Sequence, residues 1–160
     1  MFVRKIVTGV AIGAAVLLST TGCSITSNIA SLQQYSPSDG FSLDYGTVKF
    51  RNFFYVVIGD QRHLIGSVVN SGLDAQTVTL QYSDAATGEK VNYELTVDAG
   101  KKVDFGFNEN AALDFNLLGV AGGTTSFYVL QDGTPAKQFI VPVLDGTLDT
   151  YQDVVDDLGK

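Results

Sequence analysis

Hydrophobic and polar residues alternate with a period of two along most of the chain between Phe41 and Val143. Successive side chains of a β-strand point to opposite faces, so this alternation is typical of strands that bury one face. Gly, Asn and Asp residues separate the alternating segments, as at turns. The segments run from Phe41 to Tyr45, Val48 to Ile58, Leu64 to Asn70, Val78 to Tyr82, Val91 to Val97, Val103 to Phe107, Phe127 to Gln131 and Phe139 to Val143. About eight strands at these spacings predict an all-β fold, an antiparallel immunoglobulin-like β-sandwich.

Two segments depart from this alternation. The run from Phe53 to Ile58 is apolar on both faces, which predicts a central strand that is covered on both sides. Between Asn108 and Gly123 the period is lost, and we expect a loop that packs over one end of the sandwich. Its large apolar residues are Leu113, Phe115, Leu117 and Leu118.

The last part of the chain, residues 147–160, is an acidic tail that follows a sandwich domain at residues 39–146. Its apolar residues recur at helical spacing, which favours a short amphipathic helix. An extended strap across the sandwich agrees with the sequence equally well. The apolar positions are Leu148, Tyr151, Val154, Val155 and Leu158.

The N-terminal residues follow the order of a secretory signal, in which charged residues come first, an apolar run second and small residues last. Arg4 and Lys5 precede the uncharged, mostly apolar run Ile6–Leu18, and small residues follow up to Cys23. The run has 13 residues, whereas a helix that spans a bilayer needs about 20. A cleaved signal is therefore a better interpretation than a membrane-spanning anchor.

Because Gly22 directly precedes Cys23 and a polar stretch follows, the segment resembles a bacterial lipoprotein signal, although Thr20 stands where that family usually has Leu. The resemblance implies that residues 1–22 are removed and that Cys23 is acylated as the new N-terminus. An ordinary secretory signal near an unpaired cysteine is the alternative. Residues 23–38 are mostly Ser, Thr, Asn, Gln and Ala, which favours a flexible tether.

Cleavage before Cys23 would leave 17 acidic and 8 basic residues, a net charge of −9. A negative charge of this size repels phosphate backbones and anionic lipid headgroups. We therefore expect no nucleic-acid partner, and attachment to the membrane through acyl chains rather than through a basic patch.

The sequence offers no catalytic constellation. The only histidine, His63, lies at the start of a strand, the Gly-x-Ser-x-Gly motif is absent, and Cys23 is the only cysteine. A histidine triad needs a nucleophile and a carboxylate that only the fold can bring together. We therefore interpret His63 as a surface or loop residue and predict that the protein is not an enzyme.

Metal and phosphate sites are equally unsupported, so we predict no metal or other cofactor. Cu(I) prefers Cys and Met ligands, and the mature chain would keep no methionine and only an acylated cysteine. The glycine-rich loop at Gly119, Gly122 and Gly123 precedes a strand rather than a helix, unlike a phosphate cradle. Carboxylates do suit Ca²⁺, but without EF-hand spacing we interpret those of the tail as a solvated face. They are Asp145, Asp149, Asp153, Asp156 and Asp157.

Aromatic residues on the strands would suit sugar or peptide binding where they are exposed. Core packing or cross-strand pairing is the more common use, and we take it as the expectation here. The residues concerned are Phe53, Tyr55, Tyr82, Tyr93 and Tyr128.

The signal end Thr21–Cys23, the segment Asp39–Asn52 and the run Val141–Leu148 together resemble the small secreted lipoproteins of actinobacteria, including the LpqE-like group. The resemblance implies a lipid-anchored β-sandwich on the extracytoplasmic face of the cell membrane, and it implies no established activity. Such sandwiches are similar in architecture to copper chaperones, but this chain lacks the soft ligands that those proteins use. It also lacks the Trp and the Cys pair of antibody domains.

Fold class, charge and signal together predict a binding or structural lipoprotein without catalytic activity. Its expected partners are the membrane, through the lipid anchor, and a protein or another component of the cell envelope. The alternative is a carrier of a small ligand or a hard cation that uses the acidic surface.

Overall fold

The computed structural model describes residues 38–107 and 110–147, together with Tyr151. The chain divides into two units, Met1–Tyr35 and Ser36–Lys160, and the described residues belong to the second. The signal, Cys23 and all of the tether before Ser38 lie outside the described residues, so their assignments stay predictions.

Eight strands account for the regular structure of the described ranges, and the all-β prediction is confirmed. Each alternating segment of the sequence corresponds to one strand. In these ranges no helix has the length and apolar character needed to cross a membrane. The strands are β1 (Phe41–Tyr45), β2 (Val48–Ile58), β3 (Gln61–Asn70), β4 (Gln76–Ser83), β5 (Lys90–Val97), β6 (Lys102–Phe105), β7 (Thr124–Gln131) and β8 (Thr134–Asp145).

The strands are hydrogen-bonded in the order β5-β4-β7-β8-β2-β3-β6, and β1 pairs with β2. We call β1, β2, β3 and β6 the first sheet, and β5, β4, β7 and β8 the second sheet. The long strand β8 joins them, because its end leaves β7 and runs parallel to β2 at Tyr55–Val57. The other pairings between described strands are antiparallel, as expected. The parallel pairing was not foreseen, since local alternation carries no information about strand direction.

Aromatic residues from both sheets form the centre of the core. The Phe53 ring lies 5.5 Å from that of Phe50, 5.6 Å from Phe139 and 6.2 Å from Phe127, measured between ring centroids. All four side chains are buried. Tilted and edge-to-face arrangements at these distances are favourable beyond the burial of area.

A second, smaller cluster covers the outer face of the first sheet. Phe54, Val56 and Ile65 are buried there, and Phe107 and Tyr151 pack on Phe54. The prediction that β2 is covered on both faces is therefore confirmed. Burial and a hydrogen bond to Asp39 raise the pKa of Tyr151 to about 12.

Tyr151 is the one described residue of the tail beyond Thr147, and its backbone is helical. The other apolar positions of the predicted tail helix lie outside the described residues. The choice between a helix and a strap therefore stays open, while Tyr151 shows that this part of the tail contacts the sandwich.

The segment Leu113–Leu117 differs from the loop that the sequence predicted. Leu113, Phe115 and Leu117 are buried in the main core rather than laid over one end of it, whereas Leu118 is 79% exposed. Leu113 exchanges two backbone hydrogen bonds with Leu64 of β3, at 2.8 and 3.1 Å. The segment, which we call the inner segment, is thus a loop as predicted, but it lies inside the core and a single bridge at Leu113 joins it to β3.

The Tyr55 hydroxyl holds this segment in place. It donates a hydrogen bond to the Phe115 carbonyl at 2.8 Å and accepts one from the Leu117 amide at 3.0 Å. Burial raises the pKa of the Tyr55 phenol. Since the side chain has no exposed surface, water cannot replace these hydrogen bonds if the hydroxyl is removed.

Tyr55→Phe is expected to lower the free energy of unfolding by about 1–3 kcal/mol, because two buried hydrogen bonds are lost. The Leu117 amide and the Phe115 carbonyl then keep only the 2.9 Å hydrogen bond that joins them to each other. Urea titration of the full chain measures this change. The matched control is Tyr128→Phe, which removes the same hydroxyl from a partly exposed site and should change stability by no more than about 0.5 kcal/mol. Equal effects of the two substitutions would contradict the role assigned to Tyr55.

Candidate functional site

The outer face of the second sheet carries a row of polar side chains that crosses four strands. Asn92 of β5 is in register with Gln81 of β4, Gln81 with Tyr128 of β7, and Tyr128 with Gln138 of β8. Gln81 and Tyr128 alternate with buried neighbours and therefore point outward, and their register partners Asn92 and Gln138 lie on the same face. Since strands are about 4.8 Å apart, this cross-strand row spans roughly 14 Å.

Hydrogen bonds orient the amide groups of the cross-strand row. Gln81 Nε2 donates to Asn92 Oδ1 at 2.9 Å, and Gln138 Nε2 donates to Ser126 Oγ at 3.0 Å. A side-chain amide has two N–H donors and an oxygen that accepts twice. Each amide therefore keeps capacity to donate to and accept from a ligand while its orientation is fixed.

This face carries little charge for a protein with 17 acidic residues. Among the outward positions of the second sheet, Lys90 and Glu94 are the charged ones, and both lie on the edge strand β5. The outward residues of β4 and β7 are Thr, Gln, Ser, Tyr and Leu. The face is therefore suited to neutral hydrogen-bonding partners.

A groove opens beside the cross-strand row, where β4 and β7 separate. Their pairing stops at Gln81 and Tyr128, so the following residues of β4 face the first residues of β7 across a gap. The groove, which we call the notch, has a volume of about 340 Å³, near the lower end of the range of ligand pockets. Its lining is Gln81, Tyr82, Ser83, Lys90, Leu117, Leu118, Thr124, Thr125, Ser126, Tyr128 and Gln138.

The inner segment fixes the wall of the notch. The Tyr82 ring stacks on Phe115 with centroids 4.4 Å apart, and Ala85 N donates to the Asn116 carbonyl at 2.8 Å. The end of β4 is therefore bound to residues 115–116 and not to β7. Burial, together with the charge of Asp84, raises the pKa of Tyr82.

Asp84 organises the loop that follows β4. Its carboxylate accepts hydrogen bonds from the backbone amides of Thr87 and Ala86 and from the side chain of Asn116, at 2.9–3.0 Å. These bonds, led by that from Thr87, lower the pKa of the carboxyl group. Asp84 thus acts as a structural anion beside the notch.

Tyr128 is the exposed aromatic residue of this site. Its side chain is 44% exposed, so Tyr128 follows the second of the two expected uses, cross-strand pairing, with Gln81 and Gln138 as its partners. Core packing is confirmed for Phe53, Tyr55 and Tyr82. The reason is register, because Tyr128 alternates with the buried Phe127 and Val129. Two further exposed apolar residues are near: Leu118 lines the notch, and Ile140 pairs with Ser126 on the same face.

His63 is not the surface residue that the sequence suggested. Its side chain is 13% exposed, and its Nδ1 lies 3.0 Å from Asp114 Oδ1. Neither ring nitrogen has a hydrogen bond of good geometry to any described residue, and both are closed to solvent. The fold therefore supplies a histidine and a nearby carboxylate, but no nucleophile bonded to that histidine among the described residues, as a triad requires.

The other candidate residues do not converge. In the described ranges, no three His, Cys, Asp or Glu side chains lie close enough together to hold a metal ion. Asp145 accepts hydrogen bonds from the Thr147 side chain and amide, which lower its carboxyl pKa. Asp149, Asp153, Asp156 and Asp157 lie outside the described residues. The glycine-rich loop forms a turn closed by Gly123 N donating to the Val120 carbonyl at 2.9 Å.

The outer face of the second sheet is the candidate functional site. It combines oriented amides, hydroxyls and one exposed aromatic ring beside a groove. The sequence contains each of these residues, and Asn92 and Gln81 are recognisable as outward positions. The signal that could have revealed the site is the lack of charge at the outward positions of two neighbouring strands.

Comparisons with known proteins give fold neighbours and no family. No protein-family model and no curated protein matches the chain. Among solved structures, the chain is similar to the apo PmoF2 PCuAC domain, with a TM-score of 0.47, 12% identity and coverage of 68% of this chain and 98% of that one. It is also similar to the copper-bound PCuAC domain from PmoF2, with a TM-score of 0.46, 13% identity and coverage of 66% and 98%. At this identity the similarity concerns the fold.

Proposed function

We propose that the protein is a lipid-anchored binding lipoprotein of the extracytoplasmic face of the cell membrane, without catalytic activity. It would be tethered through acylated Cys23 and would bind a component of the cell envelope with the outer face of its second sheet. The observation that carries the proposal is the cross-strand row beside the notch, on a face with no charged outward residue on β4 or β7.

The anchor is supported by the sequence of the first 23 residues. The order of charged, apolar and small residues before Cys23 resembles a lipoprotein signal. A free thiol in an exported protein is open to oxidation, and acylation would remove that hazard. The resemblance to small secreted lipoproteins of actinobacteria agrees with the same location.

Cys23→Ala is expected to abolish incorporation of a palmitate analogue and to keep the signal uncleaved, because the acylated thiol is what defines the new N-terminus. Metabolic labelling followed by electrophoresis measures both effects. Ser24→Ala is the matched control and should be labelled and processed like the wild type. Equal labelling of wild type and Cys23→Ala would contradict the anchor.

The binding function is tested by sedimentation with isolated cell envelope. The full-length Cys23→Ala protein carries no acyl chain at that position but keeps its apolar signal. The part of the retention that is due to the folded domain is therefore read from the difference between this protein and the same protein with a second substitution. Adding Tyr128→Ala should reduce retention strongly, whereas adding Phe41→Ala, which removes an exposed aromatic from the first sheet, should not. Equal retention of all three proteins would contradict the assignment of this face.

A hard-cation carrier is the alternative, and it depends on the acidic composition rather than on a described site. Calorimetric titration with Ca²⁺ separates the two proposals. Stoichiometric heat that disappears when Asp149, Asp153 and Asp157 are replaced by Asn would favour the carrier. Absence of binding heat would count against the carrier and leave the envelope-binding proposal as the one that the geometry supports.

A further inference from the structure

The ligand class can be narrowed from the chemistry of the binding face, on the assumption that the proposed function is correct. The cross-strand row offers amide groups that both donate and accept hydrogen bonds, and Ser83, Thr124 and Ser126 add hydroxyl groups at the notch. Tyr128 adds an exposed aromatic ring in the middle of the row. These groups surround a space of about 340 Å³.

We infer that the outer face of the second sheet binds a neutral saccharide chain of the cell envelope. Sugar hydroxyls donate and accept in alternation, as the amides of Gln81 and Gln138 do. The C–H face of a sugar ring carries partial positive charge and suits the electron-rich face of the Tyr128 ring. The roughly 14 Å length of the cross-strand row lets a chain contact several side chains, with one unit in the notch.

Other ligand classes fit this face less well. The acidic protein disfavours an anionic polymer, and Lys90 is the one basic side chain that lines the notch. Attraction to an anionic membrane surface would call for a basic cluster, and Lys90 is the one basic residue at the outward positions of this face. Strand addition by a peptide uses a free sheet edge. In this sheet that edge is β5, whereas Gln81, Tyr128 and Gln138 lie on interior strands.

The shape of the notch also favours a short polar ligand over a large apolar one. Apolar contacts come from Leu117 and Leu118 at one side, while the remaining lining is largely hydroxyl and amide groups. Leu118 is exposed and could cover the less polar edge of a sugar ring. Pockets of this kind recognise a ligand through a few placed polar groups beside an apolar wall.

The inference is tested by calorimetric titration of the lipidated full chain in detergent micelles with neutral linear tetrasaccharides of glucose, mannose and galactose. We expect at least one to bind, and Tyr128→Ala to weaken its Kd by about tenfold or more. Phe41→Ala, a matched loss of an exposed aromatic ring, should leave the Kd unchanged. Absence of binding heat with all three saccharides, or wild-type affinity in Tyr128→Ala, would overturn the inference.

A second measurement separates this inference from the proposed function. Periodate cleaves carbon–carbon bonds between vicinal hydroxyls and so destroys most saccharide chains, whereas protease removes envelope proteins. In the Cys23→Ala protein, the part of the retention by envelope that depends on Tyr128 should be lost after periodate treatment and kept after protease. Retention that still depends on Tyr128 after periodate would overturn the saccharide inference and leave the binding function in place. Absence of retention by untreated envelope would contradict both.

Discussion

Phe53→Ala is expected to lower the free energy of unfolding by about 3–5 kcal/mol. The ring packs against Phe50, Phe127 and Phe139 and has no exposed surface. Its removal therefore leaves a cavity lined by residues of both sheets. Since small domains are stable by about 5–15 kcal/mol, the variant should lose a large fraction of its stability. Urea titration followed by circular dichroism gives the value.

Phe41→Ala is the matched control for this prediction. Phe41 pairs with Phe53 across β1 and β2, but its side chain is 51% exposed. The same truncation there should change stability by about 0.5 kcal/mol or less. A Phe41 effect as large as that of Phe53 would mean that the aromatic centre of the core has been placed on the wrong face of β2.

Gly66→Ala is expected to destabilise the protein by about 1–3 kcal/mol through overpacking. A Cβ atom at Gly66 would lie 2.5 Å from two carbons of the Phe53 ring. Gly66 lies within β3, and its dihedral angles are ones that other residues adopt, so the cost comes from space and not from backbone strain. Thermal or urea unfolding measures it.

The cause can be checked with a double-mutant cycle. In a Phe53→Leu background the smaller side chain leaves room for the added methyl group, and Gly66→Ala should cost less than in the wild type. Residues in direct contact commonly show such non-additivity. Strict additivity of the two substitutions would contradict the packing of Phe53 on Gly66.

The alternation of hydrophobic and polar residues was enough to predict the strands, because it reflects which face of each strand is buried. Phe41–Tyr45 and Val48–Ile58 were predicted with the bounds that the structure shows. The doubly covered run at Phe53 was also recognisable, since apolar residues on both faces have no other common use in a strand.

Strand partners could not be predicted, and this is why the candidate site was missed. Gln81 and Tyr128 are 47 positions apart in the sequence, and only the β4–β7 pairing brings them side by side. The same limit applies to His63 and Asp114, which meet because residues 113–117 enter the core. Tyr128 alone resembles any strand aromatic, and its exposure follows from the register of β7.

The core and the proposed site are connected through Tyr55. Its hydroxyl fixes Phe115 and Leu117, Phe115 stacks on Tyr82, and Leu117 forms the floor of the notch. The separation of β4 from β7 is therefore a consequence of how the inner segment packs. Substitutions at Tyr55 should alter ligand binding as well as stability.

Hydroxyl-radical footprinting of the folded protein, with and without isolated cell envelope, tests the central claim most directly. Tyr128 on the second sheet and Phe41 on the first are both exposed aromatic residues and should both be oxidised in the free protein. If the outer face of the second sheet is the binding surface, envelope should protect Tyr128 and leave Phe41 reactive. Protection of Phe41 with unchanged oxidation of Tyr128 would contradict the account.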